Sequence, residues 1–244
     1  MAIGSLLLAG CARPPVSLEP EPPRGHIMTR PGKPGVVVAA PHGTSDANTA
    51  DIAAEISRRT GFALVVATGF TLESGEGGRW LGRDQVSRPS EGRPGLRPAH
   101  ERATPEAQQI DEEYERRVRE VAGDRLRFYV EIHGNAREEN AGRIEIATVG
   151  VNPELALQLR TLLELTRDAH LRGRPEAPRL DVSIGPVDRL FTVAGGAKRD
   201  GILTVPERAL YIELPRAARR DFRDVYTAIL ADFVAEAATL RPFR

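Results

Sequence analysis

Cysteine is nearly absent from this chain. Cys11 is the only one among 244 residues, which excludes an internal disulfide and any cysteine-based zinc cluster. Lysine is almost as scarce: Lys33 and Lys198 are the only two, so the basic side of the chain is carried by arginine. No sign of charge prevails either. Lys and Arg total 34, as do Asp and Glu, and a net charge of zero calls for no nucleic-acid or membrane-surface partner. With abundant Ala, Gly and Pro, the arginine excess reads as the product of a GC-rich coding sequence rather than as a binding stripe. What remains is a chain 41% hydrophobic, enough to bury the core of one α/β domain.

The N-terminus has its own character. "AIGSLLLAGCARPP" is a short apolar run ending at Leu8-Ala9-Gly10-Cys11, followed by a polar, proline-rich stretch. It resembles the lipobox of bacterial lipoprotein signal peptides, with Cys11 as the lipidated residue, and the run is too short to span a bilayer. No Lys or Arg precedes it. Residues 1–11 are therefore expected to be a signal segment, and residues 12–34, with seven prolines, a tether. Residues 35–244 would form the single folded domain. The expected location is the bacterial cell envelope, lipid-anchored and facing periplasm or exterior, or the cytoplasm if the lipobox match is accidental.

Beyond the tether, apolar runs alternate with helical patterns. Val36–Ala40 reads as a strand, Ala47–Arg59 as a helix, and Phe62–Ala67 as a second strand after the stop at Gly61. Gly69–Thr104 is a long polar segment rich in Gly, Pro and Arg, of the kind that covers active sites or stays unstructured. A helix is expected over Pro105–Val121, then the strand "RLRFYVEIHGN", the alternating strand "RIEIATVGV", a helix over Pro153–His170, the strand "ALYIELP" and a closing helix over Ala217–Leu240. The order β-α-β-α-β-β-α-β-α predicts a three-layer α/β/α sandwich around a largely parallel, mixed sheet. Ligands of such sheets sit beyond the carboxyl ends of the strands.

Of five histidines, only His42 and His133 stand at the ends of predicted strands, and each is followed by glycine. Asp46 lies four residues after His42, on the turn into a helix. Two imidazoles and a carboxylate make a three-ligand zinc site with a fourth position open to water. Asp46 is equally well placed as a helix N-cap, and both readings stay open. A third strand end carries Glu213, on the same face as Tyr211. A carboxyl group in such an apolar setting has a raised pKa and can shuttle a proton. Glu131, two residues before His133, points to the same side and is a candidate partner for that ring.

Four segments together resemble the N-formylglutamate amidohydrolases, within the wider zinc-carboxypeptidase-like metallohydrolases. "APHGTSDANT" resembles the family's first metal-binding turn, and "VEIHGN" the strand supplying the second metal histidine. "DQVSRP" is similar to the segment whose Asn-Arg pair meets the substrate carboxylate, with Ser87 where asparagine is usual. "YIELP" resembles the strand carrying the catalytic glutamate. The resemblance implies one zinc ion on His42, Asp46 and His133, Glu213 as general base and then acid, and Arg88 as anchor for a substrate carboxylate. Asn135 and Arg143, just beyond the second metal turn, are further substrate contacts by position. In the carboxypeptidases the first acid is a glutamate three residues after the histidine, whereas here it is an aspartate four residues after. The activity implied is hydrolysis of an amide or peptide bond next to a carboxylate, on a small-molecule or peptide substrate. The alternative is a lipoprotein of the same fold that binds a ligand without turnover.

Overall fold

A computed structural model of the chain describes residues 25–69, 105–123, 125–191 and 201–240. The strands are β1 (His26–Arg30), β2 (Lys33–Ala40), β3 (Phe62–Thr68), β4 (Phe128–Gly134), β5 (Arg143–Val149), β6 (Asp181–Ile184) and β7 (Arg208–Leu214). The helices are α1 (Thr49–Thr60), α2 (Pro105–Ala122), α3 (Pro153–Leu171) and α4 (Arg223–Ala237). The strands form one mixed sheet in the order β1-β3-β2-β4-β7-β5-β6. The four central strands β3, β2, β4 and β7 are parallel, while β1 pairs antiparallel to β3 and β5 antiparallel to β7, with β6 parallel to β5.

Alternation along the strands sorts the side chains between two layers. Val36, Val38, Val130, Ile132, Leu210 and Ile212 pack on one side, with residues of α1, α3 and α4. Val37, Ala39, Tyr129 and Tyr211 pack on the other, with Tyr114, Val118 and Ala122 of α2. The α/β/α sandwich expected from the sequence is the fold observed. Because β2, β4 and β7 are parallel, their carboxyl ends open at one end of the sheet. His42, His133 and Glu213 all stand there.

Three expectations need correction. The tether does not reach residue 34: His26–Arg30 forms β1, an edge strand paired with β3 from His26↔Thr68 to Arg30↔Leu64. Its residues are only alternately half-buried, so it lacks the apolar run that marked the inner strands. The folded domain therefore includes these residues. Strand β6 was not anticipated, being four residues long and at the opposite edge. The closing helix is not continuous from Ala217. A π-turn spans Ala217–Asp221, Phe222 leaves helical geometry at φ −125°, and the α-helix begins only at Arg223. Cys11 and the rest of the expected signal segment lie outside the described residues.

Candidate metal centre

The turn after β2 is built by its main chain. The Asp46 N–H donates to the His42 carbonyl (2.8 Å), and the Asp46 carbonyl accepts from the Thr49 N–H (3.0 Å) and the Thr49 hydroxyl (2.7 Å). Gly43 donates to the Ala67 carbonyl at the end of β3 (2.9 Å), and a Cβ at Gly43 would lie 2.7 Å from that oxygen. The glycine after His42 thus serves close packing against a neighbouring strand. Asn48, in the left-handed conformation at φ 69°, precedes α1 and makes no side-chain cap. Asp46 is not the cap either. Its carboxylate accepts instead from the Gly134 N–H at the end of β4 (3.0 Å).

That carboxylate lies between the two histidines. Asp46 Oδ2 is 3.5 Å from His42 Nδ1 and 3.5 Å from His133 Nδ1, and all three residues are buried. One potential ligand atom from each falls within 4.8 Å of the others. The imidazoles meet edge to face, with centroids 5.0 Å apart. His133 stacks on Tyr211 at 3.9 Å, which fixes the ring plane.

Behind His133 runs a buried chain of polar groups. Its Nε2 is 3.0 Å from Glu131 Oε2, Glu131 Oε1 accepts from the Tyr129 hydroxyl (2.8 Å), and that hydroxyl meets the Tyr114 hydroxyl of α2 (3.0 Å). A carboxylate on Nε2 holds a proton there, so Nδ1 is the nitrogen that faces Asp46. His133 Nδ1 is buried with no hydrogen-bond partner among the described residues. Burial alone would lower the His133 pKa, but the carboxylates of Asp46 and Glu131 outweigh it and raise it to about 9. Burial likewise works to raise Asp46, and the two imidazoles prevail, holding it far below the usual carboxylate range. The carboxylate and its flanking imidazoles thus attract one another, and one potential ligand atom from each lies close to the others. These residues can hold a metal ion.

Glu213 pairs with His133 in the β4–β7 register, so the two side chains share a sheet face. Its Oε1 accepts from the Tyr211 hydroxyl (3.1 Å), whereas Oε2 is buried without a partner among the described residues. Burial raises its pKa, His133 opposes the rise and Asp46 adds to it. Among the described residues, no arginine forms an ion pair with it. Arg216 lies 3.9 Å from Asp221, and Arg219 directs its guanidinium to main-chain carbonyls.

The remaining candidates divide. Asn135 follows His133 on the β4–β7 ladder, with its N–H on the Leu214 carbonyl (3.0 Å). Its Oδ1 accepts from the Arg137 N–H (3.2 Å), and its Nδ2 is a buried donor without a partner among the described residues. Arg143 opens β5, two residues before Glu145, which pairs with Glu213. Arg143 therefore lies at the same end of the sheet as Glu213, its guanidinium 5.3 Å above the Phe191 ring. Arg88 falls outside the described residues. Two further residues belong to the site's surroundings, and sequence reasoning gave neither a role there. Glu145 is a buried carboxylate held by Asn140 Nδ2 (3.2 Å) and the Phe191 N–H (3.0 Å), and the alternation of "RIEI" put it on the face opposite its isoleucines. Arg219, buried near the turns, carried no local signal at all.

Solved structures of similar fold exist at low sequence identity. A zinc-free apo form of YNDL matches with a TM-score of 0.50 and 14% identity, over 86% of this chain and 89% of that one. A bacteriophage poly-gamma-glutamate hydrolase matches with a TM-score of 0.49 and 14% identity, over 88% of each chain. The N-formylglutamate amidohydrolase from Ralstonia eutropha JMP134 matches with a TM-score of 0.45 and 12% identity, over 86% of this chain and 97% of that one. What they share with the chain is a fold. No protein-family model matches the chain, and no curated protein matches it.

Proposed function

We propose that this protein is a zinc-dependent amidohydrolase that cleaves an amide or peptide bond next to a carboxylate. The observation that carries the reading is the buried His42–Asp46–His133 cluster beside Glu213, with His133 Nδ1 and Glu213 Oε2 both lacking a hydrogen-bond partner among the described residues. Ligand atoms at about 2.0–2.1 Å from a tetrahedral zinc stand roughly 3.3 Å apart. The 3.5 Å separations from Asp46 Oδ2 to the two Nδ1 atoms are close to that spacing. Two imidazoles and one carboxylate also form a donor set suited to zinc with an open position. Among proteins of this fold, one was solved as a zinc-free apo form.

Zinc in such a site supplies a Lewis acid that activates water and polarises a carbonyl. The rest is done by the chain's own residues. Glu213 takes a proton from the attacking water as the new C–O bond forms, then gives it to the nitrogen as the C–N bond breaks. A raised pKa suits both halves of that exchange, and the Tyr211 hydroxyl holds Oε1 so that Oε2 is the working oxygen. Arg143 and Asn135 Nδ2 are the proposed contacts for a substrate carboxylate or carbonyl, supported by the end of the sheet they share with Glu213, and Arg88 is a further anchor by resemblance. Arginine suits a carboxylate because its planar fork grips it through two bonds.

We further propose that Cys11 carries a lipid anchor, which would place the enzyme on the cell envelope; the lipobox-like sequence supports this. No helix of the described residues is long and apolar enough to cross a membrane. Cell-wall peptides and poly-γ-glutamate would then be reasonable substrates. The direct test incubates the purified, zinc-loaded protein with N-acyl glutamates and γ-glutamyl peptides and measures release of free amine. Amine released by wild type and not by the His133→Ala variant supports the reading, and no release from any of these substrates counts against it.

A further inference from the structure

The π-turn after β7 places one side chain against every turn of the metal centre. In this turn the Phe222 N–H donates to the Ala217 carbonyl (2.9 Å) and the Arg219 N–H to the Pro215 carbonyl (3.2 Å). π-turns are uncommon and often occur at functional sites. The Arg219 side chain is buried. Its Nε donates to the Leu214 carbonyl (3.0 Å), Nη1 to the Ala47 carbonyl (2.9 Å) and Nη2 to the Asn135 carbonyl (3.0 Å).

The three acceptors belong to three different segments. Leu214 follows Glu213, Ala47 follows Asp46, and Asn135 lies two residues after His133. The contact with the first turn is reciprocal, because Asn48 Nδ2 donates to the Arg219 carbonyl (3.0 Å). Asn48 is also the only described non-glycine residue with positive φ, a conformation most side chains resist. On the β4 side, a Cβ at Gly134 would lie 2.5 Å from Arg219 Cζ. A side chain at Gly134 would therefore displace the guanidinium from its place against β4.

We propose that Arg219 is a positioning residue that sets the spacing of the proposed metal ligands and Glu213, and through that spacing the affinity for the metal. A guanidinium suits the task because its rigid fork presents five donors in one plane, which can reach three diverging carbonyls at once. An ammonium is a compact point charge on a flexible stem and holds no such plane. This inference rests on the zinc-site reading above.

The test measures zinc dissociation constants by competition with a chromophoric chelator, alongside thermal melts of the metal-free proteins. The full-length wild type is compared with Arg219→Ala, Arg219→Lys and Asn48→Gly. Arg219→Ala is expected to weaken zinc by ~10–100-fold, as loss of a group that orients metal ligands typically does. Arg219→Lys should recover part of the loss, and millimolar guanidinium should restore affinity to the alanine variant. Asn48→Gly keeps the left-handed backbone and deletes only the reciprocal bond, so it should fold and still bind zinc a few-fold more weakly. If Arg219→Ala does not fold, the lysine and Asn48 variants decide. A lowered melting temperature with unchanged zinc affinity in the folded variants would make Arg219 merely structural and overturn the inference. A wild type that binds no zinc would overturn the metal reading itself, and this inference with it.

Discussion

Glu213→Gln separates chemistry from architecture at this site. In the wild type, Oε1 accepts from Tyr211 and Oε2 is buried without a described partner. Glutamine keeps the shape and the acceptor for Tyr211, and it places an unpaired amide where an unpaired carboxylate oxygen stood. Exchanging one unpaired buried group for another should leave stability within about 1 kcal/mol of wild type. Burial disfavours the ionised glutamate and raises its pKa, so a neutral amide of the same shape is well tolerated there. Turnover should respond very differently. Loss of a general acid–base group lowers kcat by ~10²–10⁴-fold, equivalent to about 3–5 kcal/mol in the barrier. The assay pairs thermal melts and zinc titrations with initial rates of amine release on the two proteins. The expected pattern is matched melting and zinc binding with turnover reduced at least 10²-fold. Near-normal turnover in the variant, with zinc bound, would refute the proton-shuttle role. A lower melting temperature with normal turnover per folded molecule would instead give Glu213 a purely structural role.

Other expectations test the surroundings. Glu131→Gln should weaken zinc binding by ~10–100-fold, because the amide can no longer accept the His133 proton as a carboxylate does; isothermal titration would show it, and unchanged affinity would detach Glu131 from the site. Away from the centre, Arg179 and then Arg167 lower the Asp168 pKa from the ordinary 3.8 to about 2. A depressed folded-state pKa gives stability that is present above the unfolded value and lost as pH falls toward about 2, so melts of Asp168→Asn should lack that part of the acid dependence, and an identical dependence would refute it. Cys11→Ser should move the protein from the membrane fraction to the soluble one, since acyl chains supply the anchoring energy, and a variant that stays with the membrane would refute the lipid anchor.

Much of this architecture was written in local patterns. Val36–Ala40, the "FYVEIHG" run and "ALYIEL" are inner strands of a parallel sheet, and continuous apolar burial makes such strands conspicuous. Their ends identified His42, His133 and Glu213, because a parallel sheet gathers its carboxyl ends at one edge. What escaped notice depends on contacts distant in sequence. β1 is an edge strand whose half-buried face is completed by β3, so its five residues looked like more of the proline-rich stretch around them. The break at Phe222 arises where Arg219 turns back to meet Ala47 and Asn135, 172 and 84 residues away along the chain. The role of Asp46 was undecidable locally, since a helix cap and a ligand share the same position in a turn. The hydrogen bond from Gly134, 88 residues on, draws its carboxylate away from the helix.

The central claim is that His42, Asp46 and His133 hold a metal, and metal stoichiometry tests it most directly. The purified full-length protein, stripped with a chelator and reloaded, should bind one zinc per chain. His42→Ala and His133→Ala should each lose most of it, because three protein ligands leave none to spare. His170→Ala should keep it, since His170 pairs with Asp232 (2.7 Å) in a contact between α3 and α4. A wild type that takes up no zinc, or equal occupancy in all three variants, would contradict the account.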